Sequence, residues 1–310
     1  MSASVKNLTK SYGDIRALKG ISLDVNESEL FGVIGPDGAG KTTLFRILAT
    51  LVLPDRGEAK VLGHDVVVAF RELRSRIGYM PGRFSLYQDL SVRENLDFFA
   101  SIFLTSVEES YHLIRDIYHQ IEPFKNRRAG DLSGGMKQKL ALSCALIHQP
   151  DILILDEPTR GVDAVSRREF WDMLGRLRAA GLTILVSTPY MDEASRCDRV
   201  ALMHRGRILS VDTPDGISRE FGRTLYAVSA DRRYQLLKTL RSYPYALSAF
   251  TFGEQVHYTD RRDDFDADEL RAHLERKGLG NVRIEQITPG VEDTLIALME
   301  SKESDPGGKP

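Results

Sequence analysis

The sequence is poor in cysteine and has no long apolar run. Its two cysteines, Cys144 and Cys197, have no histidine or cysteine neighbours at the spacing of metal ligands. This pattern excludes a disulfide scaffold and a zinc site, and it predicts two buried thiols. No stretch approaches the roughly 18 apolar residues of a membrane span, and the first residues, MSASVKNLTKSYG, lack the apolar core of a secretion signal. We therefore expect a cytoplasmic protein.

The sequence also lacks an excess of positive charge. Lysine and arginine number 42 against 44 aspartates and glutamates, which gives a formal net charge of −2. Such a chain is poorly suited to neutralise a phosphate backbone, so we expect no nucleic-acid partner. A hydrophobic fraction of 42% and a charged fraction of 28% are ordinary for a globular protein. A length of 310 residues suits one large α/β domain followed by a smaller one.

Three short apolar runs, separated by helical patterns, predict a mainly parallel and buried sheet. They are residues 30–34 (LFGVI), 152–155 (ILIL) and 183–187 (TILVS). Between the first two lies a helical block that opens with the capping-box pattern Ser91-x-x-Glu94. We interpret this block, about residues 84–145, as an inserted helical subdomain.

The pattern changes near residue 222. From there the sequence predicts strand, helix, two strands around Gly253, helix and strand. This order is typical of a small ferredoxin-like α+β domain, which we place at residues 222–300 after a first domain of residues 1–221. Residues 301–310 (SKESDPGGKP) are polar and rich in glycine and proline, and we expect a disordered tail there.

A glycine-rich loop follows the first apolar run and precedes a helical pattern. It fits the motif G-x-x-x-x-G-K-[ST], in which backbone N–H groups wrap a phosphate. In this motif the lysine, Lys41, reaches the terminal phosphates and the hydroxyl of Thr42 coordinates magnesium. The alternative is a purely structural glycine turn. We predict ATP and Mg²⁺ binding by the loop residues Gly35, Pro36, Asp37, Gly38, Ala39, Gly40, Lys41, Thr42 and Thr43.

An acid pair ends the second apolar run, in DILILDEP. A buried strand there would deliver Asp156 to the magnesium ion, and Glu157 is placed to polarise an attacking water. The alternative is that the two acids only cap a helix.

A second turn with the chemistry of an anion site occurs in LSGGMKQKL, where Ser133, Gly134 and Gly135 open a helix. One nucleotide cannot readily contact both this turn and the phosphate loop of the same chain. A head-to-tail dimer, in which each turn closes over the partner's phosphate loop, resolves the difficulty. A plain helix cap is the alternative.

Residues 4–215 resemble the ATP-binding subunit of an ABC transporter, of the bacterial multidrug or antibiotic exporter type with a small C-terminal domain. The resemblance rests on GPDGAGKTT, LSGGMKQKL and LILDEP in this order. It implies an ABC ATPase core, stacking of adenine on Tyr12, and a family signature whose Ser133, Gly134 and Gly135 contact the partner's ATP. It also implies that Gly161, Val162 and Asp163 lie at the dimer interface.

Two positions depart from that family's pattern. Gly82 stands where the family usually has a glutamine that contacts magnesium and the attacking water, and Pro189 stands where a histidine contacts the terminal phosphate. Glycine has no side-chain amide, and proline has neither a ring nitrogen nor a backbone N–H. Either the site is weakened, or a neighbouring side chain or a water substitutes. We expect Arg83, Phe84, Leu86 and Tyr87 in the segment that follows to be exposed. Such subunits dock membrane-domain helices here, unless the segment only packs the helical subdomain.

The resemblance implies an ATPase subunit that binds Mg-ATP, closes as a dimer with a second ATPase and drives a permease on a separate chain. Such a subunit is peripheral on the inner face of the membrane. A soluble ABC ATPase outside transport and a regulatory subunit with an inactive site are the alternatives. The sequence does not identify the exported molecule, and it leaves homodimer and heterodimer open.

Overall fold

The computed structural model describes residues 1–303, without the side chains of 301–303. The chain divides into two compact units, Met1–Pro214 and a second that begins at Asp215. The sequence placed this boundary later, after residue 221. Among the described residues, no helix is both long enough and apolar enough to cross a membrane.

The first unit contains two sheets and a block of helices. Its strands are β1 (Ala3–Tyr12), β2 (Ile15–Val25), β3 (Leu30–Ile34), β4 (Arg56–Val61), β5 (His64–Asp65), β6 (Ile77–Met80), β7 (Ile152–Asp156), β8 (Thr183–Thr188), β9 (Arg199–His204) and β10 (Arg207–Asp212). Its α-helices are α1 (Lys41–Leu48), α2 (Phe70–Arg74), α3 (Val92–Ile102), α4 (Val107–Tyr118), α5 (Gly134–Leu146) and α6 (Ala164–Ala179).

The larger sheet of this unit has the strand order β10-β9-β3-β8-β7-β6. All its pairs are parallel except β10 with β9, which form an antiparallel hairpin. Every residue of β3, β7 and β8 is buried, because helices cover both faces of such a sheet and select continuous apolar runs. The predicted parallel sheet is therefore present, and its strands β3 and β7 end at the phosphate loop and at the acid pair.

A second sheet, of strand order β2-β1-β4-β5, is antiparallel and was not predicted from the sequence. Its strands do not alternate buried and exposed residues regularly. The pairing of β1 with β2 also contains register shifts. This sheet contributes Val5, Leu8, Leu18 and Val25 to the same core as β3 and α1.

The helical block consists of α3, α4 and α5 with short 3₁₀ turns between them. The capping box that the sequence predicted is present: Ser91 Oγ accepts from Glu94 N at 3.2 Å, and Glu94 Oε2 accepts from Ser91 N at 2.7 Å. The two predicted buried thiols are also found, since Cys144 and Cys197 are both buried and unpaired. Burial raises the pKa of both thiols.

The second unit has its own core around Leu236, Tyr258 and Leu270. Its elements are α7 (Pro214–Arg219), β11 (Leu225–Ser229), α8 (Arg233–Arg241), β12 (Ala246–Phe252), β13 (Gln255–Asp260), α9 (Ala267–Arg276), β14 (Arg283–Ile287) and α10 (Val291–Glu303). From β11 to β14 the elements follow the predicted order, and the antiparallel sheet has the order β12-β13-β11-β14. The assignment to the ferredoxin-like fold stays a prediction.

The start of the expected disordered tail differs in the structure. α10 runs to Glu303, so residues 301–303 are helical rather than part of a tail. The apolar residues of the TLIALM segment extend the helix into the polar stretch. The rest of the expected tail, residues 304–310, lies outside the described residues.

Candidate nucleotide-binding site

The phosphate loop lies between the buried strand β3 and helix α1, as the motif requires. Glycine is needed at Gly35, where a Cβ would lie 2.1 Å from the carbonyl oxygen of Met203, and at Gly40, where φ is +108° and a Cβ would lie 2.6 Å from the oxygen of Ala17. Because α1 begins at Lys41, the N–H groups of its first turn have no intrahelical partner. They form a cradle for an anion, strengthened by the helix dipole.

Lys41 lies inside this cradle and is only 3% exposed. Its ammonium donates to the carbonyl oxygens of Gly35 at 2.7 Å and Pro36 at 3.1 Å. It also pairs with Glu157 Oε1 at 3.1 Å. A buried ammonium held by carbonyl groups at the loop is positioned to exchange those contacts for phosphate oxygens.

Asp156 ends β7 beside the start of α1 and is buried. Its Oδ1 accepts from Ser187 Oγ at 2.7 Å and from Thr42 Oγ1 at 3.1 Å. Burial raises the pKa of Asp156 above its ordinary value, although the hydrogen bonds from Ser187 and Thr42 oppose the rise.

A magnesium ion fits this pair of oxygen donors. Mg²⁺ in nucleotide sites is held by one or two protein oxygens, with phosphates and water completing the octahedron. Thr42 and Asp156 supply two such oxygens. Within residues 1–303 no group of three or more histidine, cysteine, aspartate or glutamate side chains is arranged to hold a metal ion.

Glu157 follows Asp156 and is 8% exposed. Its backbone adopts the left-handed region with φ +48°, a conformation that costs about 1–3 kcal/mol for a residue other than glycine. Its N–H donates to the carbonyl oxygen of Ser187 at 3.1 Å and to Ser187 Oγ at 3.0 Å. These bonds direct the carboxylate towards the phosphate loop, where Lys41 contacts it.

Arg160 is a site residue that the sequence analysis missed. Its guanidinium donates to Glu157 Oε2 at 2.8 Å and to Asp37 Oδ2 at 3.0 Å. Ser187, which contacts both acids of the pair, was also missed. The one available signal for Ser187 was a hydroxyl near the end of an otherwise apolar strand, whereas nothing in the sequence linked Arg160 to Asp37.

The two positions that depart from the family pattern lie beside the reacting groups. A Cβ on Gly82 would lie 2.9 Å from the carbonyl oxygen and 3.7 Å from Oδ2 of Asp156. Pro189 follows Thr188, whose carbonyl oxygen accepts from Gly35 N at 3.3 Å. Neither position offers a side-chain donor at this end of the site.

The turn Ser133-Gly134-Gly135 begins α5, where Ser133 Oγ accepts from Met136 N at 3.3 Å. Its close neighbours are Gly161, whose oxygen would lie 3.5 Å from a Cβ on Gly134, and Ser166, whose Oγ would lie 2.5 Å from a Cβ on Gly135. Ser133 and Gly134 are exposed. The turn therefore faces solvent beside the Gly161–Asp163 loop, and its role towards a partner's ATP stays a prediction.

Tyr12 ends β1 and pairs with Ile15 across the hairpin to β2. The ring is 46% exposed, and the ammonium of Lys10 lies 5.6 Å from its centroid. Strand β2 also packs against the phosphate loop, at Ala17 and Gly40. The ring is thus accessible near the loop, and adenine stacking on it stays a prediction.

The segment after β6, which the resemblance implies for docking of the membrane domain, is only partly exposed. Arg83 and Tyr87 are exposed and Phe84 is intermediate. Leu86, for which we expected exposure, is 7% exposed and packs into the protein. The prediction that Leu86 is exposed was therefore wrong.

A phosphate loop after a buried strand, with an acid pair at the end of a parallel strand in the same sheet, defines a phosphate-loop nucleotide-binding domain. The family model described as ABC transporter matches residues 18–160. The probable multidrug ABC transporter ATP-binding protein YbhF of Escherichia coli is 37% identical over 290 residues, which cover 92% of this chain and 50% of that protein. The Nod factor export ATP-binding protein I of a Rhizobium species is 35% identical over 294 residues, covering 93% and 94%.

Among solved structures, a dimeric post-hydrolysis state of the ATP-binding cassette MJ0796 with ADP and Pi is similar, with a TM-score of 0.62 and 27% identity. The match covers 68% of this chain and 98% of that cassette. The chain therefore belongs to the family of ABC transporter ATP-binding proteins, and the predicted ABC ATPase core is confirmed. The chain spans about half the length of the Escherichia coli relative.

Proposed function

We propose that this chain is the ATP-hydrolysing subunit of an exporter whose membrane permease is a separate polypeptide. Relatives named for multidrug transport and for Nod factor export support this proposal. The observation that carries it is the cluster of Lys41, Thr42, Asp156 and Glu157 around one phosphate-binding loop. This cluster contains a cation for the phosphates, two ligands for magnesium and a carboxylate for the attacking water.

The roles of these groups follow from their positions. The N–H groups of the loop and Lys41 hold the phosphates, and Thr42 and Asp156 hold Mg²⁺, which neutralises charge on the phosphate oxygens when bound. Glu157 accepts a proton from water as general base, a role worth about 10²–10⁴ in rate. Tyr12 stacks on the adenine. Gly82 leaves a contact to magnesium and the attacking water unmade, and Pro189 leaves one to the terminal phosphate unmade, so hydrolysis at the chain's own site is slow.

A groove in the first unit supports permease docking. A cavity of about 350 Å³ is lined by Leu51, Tyr79, Phe99 and other apolar residues between α1, β6, α3 and α5. Exposed apolar side chains lie close by: Leu51, just after α1, is 52% exposed, and Ile102, at the end of α3, is 55% exposed. An amphipathic helix places its apolar face into such a groove. We assign it to a short cytoplasmic helix of the permease.

The second subunit is required by the exposed turn at Ser133. That turn completes the ATP site of a partner ATPase, while the partner's turn covers this chain's phosphate loop. The dimeric relative with ADP and Pi supports this arrangement. In this proposal the chain lies at the inner face of a membrane, bound through the permease.

Nucleotide binding and turnover by the purified chain test the proposed enzyme activity. Lys41→Ala should abolish Mg-ATP binding, and Glu157→Gln should retain binding while turnover falls about 10²–10⁴-fold. Ordinary affinity in Lys41→Ala would refute the site assignment. Binding without any turnover in the wild type would favour the non-hydrolysing regulatory subunit, which Gly82 and Pro189 also favour.

Copurification from detergent-solubilised membranes tests the permease. Tagged wild-type chain should retain an integral membrane protein, and Leu51→Glu should lose it while ATP binding persists. Tyr234→Glu is the matched control, because Tyr234 is 82% exposed on α8 of the other unit. Equal loss in both variants would refute the groove as the docking surface. Copurification of ribosomes or another soluble partner in place of a membrane protein would favour an ATPase outside transport.

A further inference from the structure

Arg160 connects two parts of the site that are distant in the sequence, one of which, Asp37, is 123 residues away from Arg160. It lies in the turn between β7 and α6, where its N–H donates to the carbonyl oxygen of Glu157 at 3.2 Å. One nitrogen of its guanidinium contacts Glu157 Oε2 at 2.8 Å, and the other contacts Asp37 Oδ2 at 3.0 Å. A single side chain thus joins the general base to the phosphate loop.

The carboxylate of Glu157 depends on cations for its position. Its two oxygens are each paired, Oε1 with Lys41 at 3.1 Å and Oε2 with Arg160 at 2.8 Å. A carboxylate this deeply buried is costly to keep ionised unless it is paired. When ATP binds, Lys41 turns to the phosphates, and Arg160 becomes the remaining cation in contact with Glu157.

We propose that Arg160 is a positioning residue, which holds Glu157 against the phosphate loop during hydrolysis. This inference rests on the proposed ATPase function. Arg160 acts through Glu157 and Asp37. It therefore affects the chemical step more than nucleotide affinity.

The geometry requires an arginine rather than a lysine. The two carboxylates approach different nitrogens of the planar guanidinium, and its donors diverge in a fixed fork. A lysine ammonium in the same place would keep a charge near Glu157 but would not span to Asp37. Arg160 is 53% exposed and Asp37 is 64% exposed in their side chains, so substitutions at either position should leave the fold intact.

The test is steady-state ATP hydrolysis by the full chain carrying Arg160→Gln, Arg160→Lys or Asp37→Asn. In Arg160→Gln we expect kcat to fall about ten- to a hundredfold, since a misplaced catalytic group loses up to about 10²-fold. The KM for Mg-ATP should stay within about twofold. Arg160→Lys should recover part of the lost kcat. Asp37→Asn should lower kcat less than Arg160→Gln, because the pair with Glu157 survives.

Arg93→Gln is the matched control. Arg93 also bridges two carboxylates, Asp97 and Glu108, but on the surface of the helical block. This variant should hydrolyse ATP as the wild type does. Thermal unfolding of all variants checks that the fold is retained.

Several results would overturn the inference. They are an unchanged or increased kcat in Arg160→Gln, a rise in KM alone, and no recovery in Arg160→Lys. The variant Glu157→Gln distinguishes a wrong role for Arg160 from a wrong proposed function. If Glu157→Gln abolishes turnover while Arg160→Gln does not, only the role of Arg160 is wrong. If Glu157→Gln leaves turnover unchanged, the proposed hydrolysis at this site is wrong as well.

Discussion

Restoring a polar donor at Pro189 should speed hydrolysis, whereas restoring one at Gly82 should not. Pro189 follows β8, and the carbonyl oxygen of the preceding Thr188 accepts from Gly35 N at 3.3 Å. This bond holds the backbone before position 189 against the start of the phosphate loop. Pro189→His adds a ring nitrogen and a backbone N–H next to a residue that is bonded to the start of the phosphate loop.

The expected gain follows from two opposing terms. One well-placed donor is worth about 2.7–4 kcal/mol in the transition state. Removing proline frees the backbone of the unfolded chain and costs about 0.4–1 kcal/mol of stability. Even if all of that cost fell on the transition state, about 1.7 kcal/mol would remain, which is more than tenfold in kcat.

Gly82 differs because a Cβ at this exposed position would crowd the backbone of Asp156. A Cβ there would lie 2.9 Å from the carbonyl oxygen of Asp156, the proposed magnesium ligand. Gly82→Gln therefore has to displace Asp156 or its own loop by a few tenths of an ångström before its amide can act. We expect no gain in kcat, and the same result in Gly82→Ala, which adds the Cβ without the amide.

The assay is ATP turnover by the full chain under saturating Mg-ATP, with nucleotide affinity measured separately. The reasoning would be refuted by a Pro189→His variant that binds ATP normally but gains less than twofold in kcat. It would also be refuted by a Gly82→Gln variant that gains more than Pro189→His. The second result would show that the loop at Gly82 moves readily in the working enzyme.

Three further predictions use other parts of the chain. A chain ending at Pro214 should bind Mg-ATP with wild-type affinity in a nucleotide titration, because the phosphate loop and its acids lie in the first unit; a folded truncated chain that does not bind would contradict the division of roles. In a reconstituted complex with an intact second ATPase, Ser133→Arg should reduce turnover more than Glu157→Gln, because the turn serves the faster partner site; the opposite order would exclude unequal sites. Asp198→Asn should cost about 1–2 kcal/mol of unfolding free energy at pH 7, because the carboxylate loses charge-assisted hydrogen bonds. Burial raises the pKa of Asp198, but the bonds from Arg178 and a backbone N–H outweigh burial and leave it lowered. The stabilisation is therefore present above about pH 4 and disappears below it. Urea unfolding of both proteins from pH 7 to pH 3 should show the difference narrowing, and a constant difference would refute this explanation.

The parallel sheet and the phosphate loop were predictable because their signals are local. The buried strands are continuous apolar runs, and the loop combines glycines with Lys41 and Thr42 in one short motif. The capping box at Ser91 and Glu94 is likewise read within four residues. In each case the physical constraint acts between neighbours in the sequence.

The antiparallel sheet and the contacts of Arg160 were not predictable because they depend on distant pairs. β1 pairs with both β2 and β4, and its mixed polar and apolar residues show no strict alternation that a sequence pattern would reveal. The side chain of Arg160 is half-exposed and lies in a turn. From the sequence alone, an arginine in such a place indicates only a solvated charge. Its partner Asp37 becomes its neighbour only when β3 and β7 are placed in one sheet.

The distribution of intact and substituted groups indicates how such a site would work. The groups that bind the nucleotide are all present, since Lys41, Thr42 and Asp156 lie together at the loop. On the proposed function, Gly82 and Pro189 would leave out contacts that matter for the chemical step. ATP should therefore bind with ordinary affinity and be hydrolysed slowly, so the ATP-bound state of this site would persist. A dimer held closed at one site while the other turns over is the behaviour we expect from a pairing with an intact ATPase. A homodimer of this chain would contain two such sites. It should open more slowly than a dimer that pairs this chain with an intact ATPase.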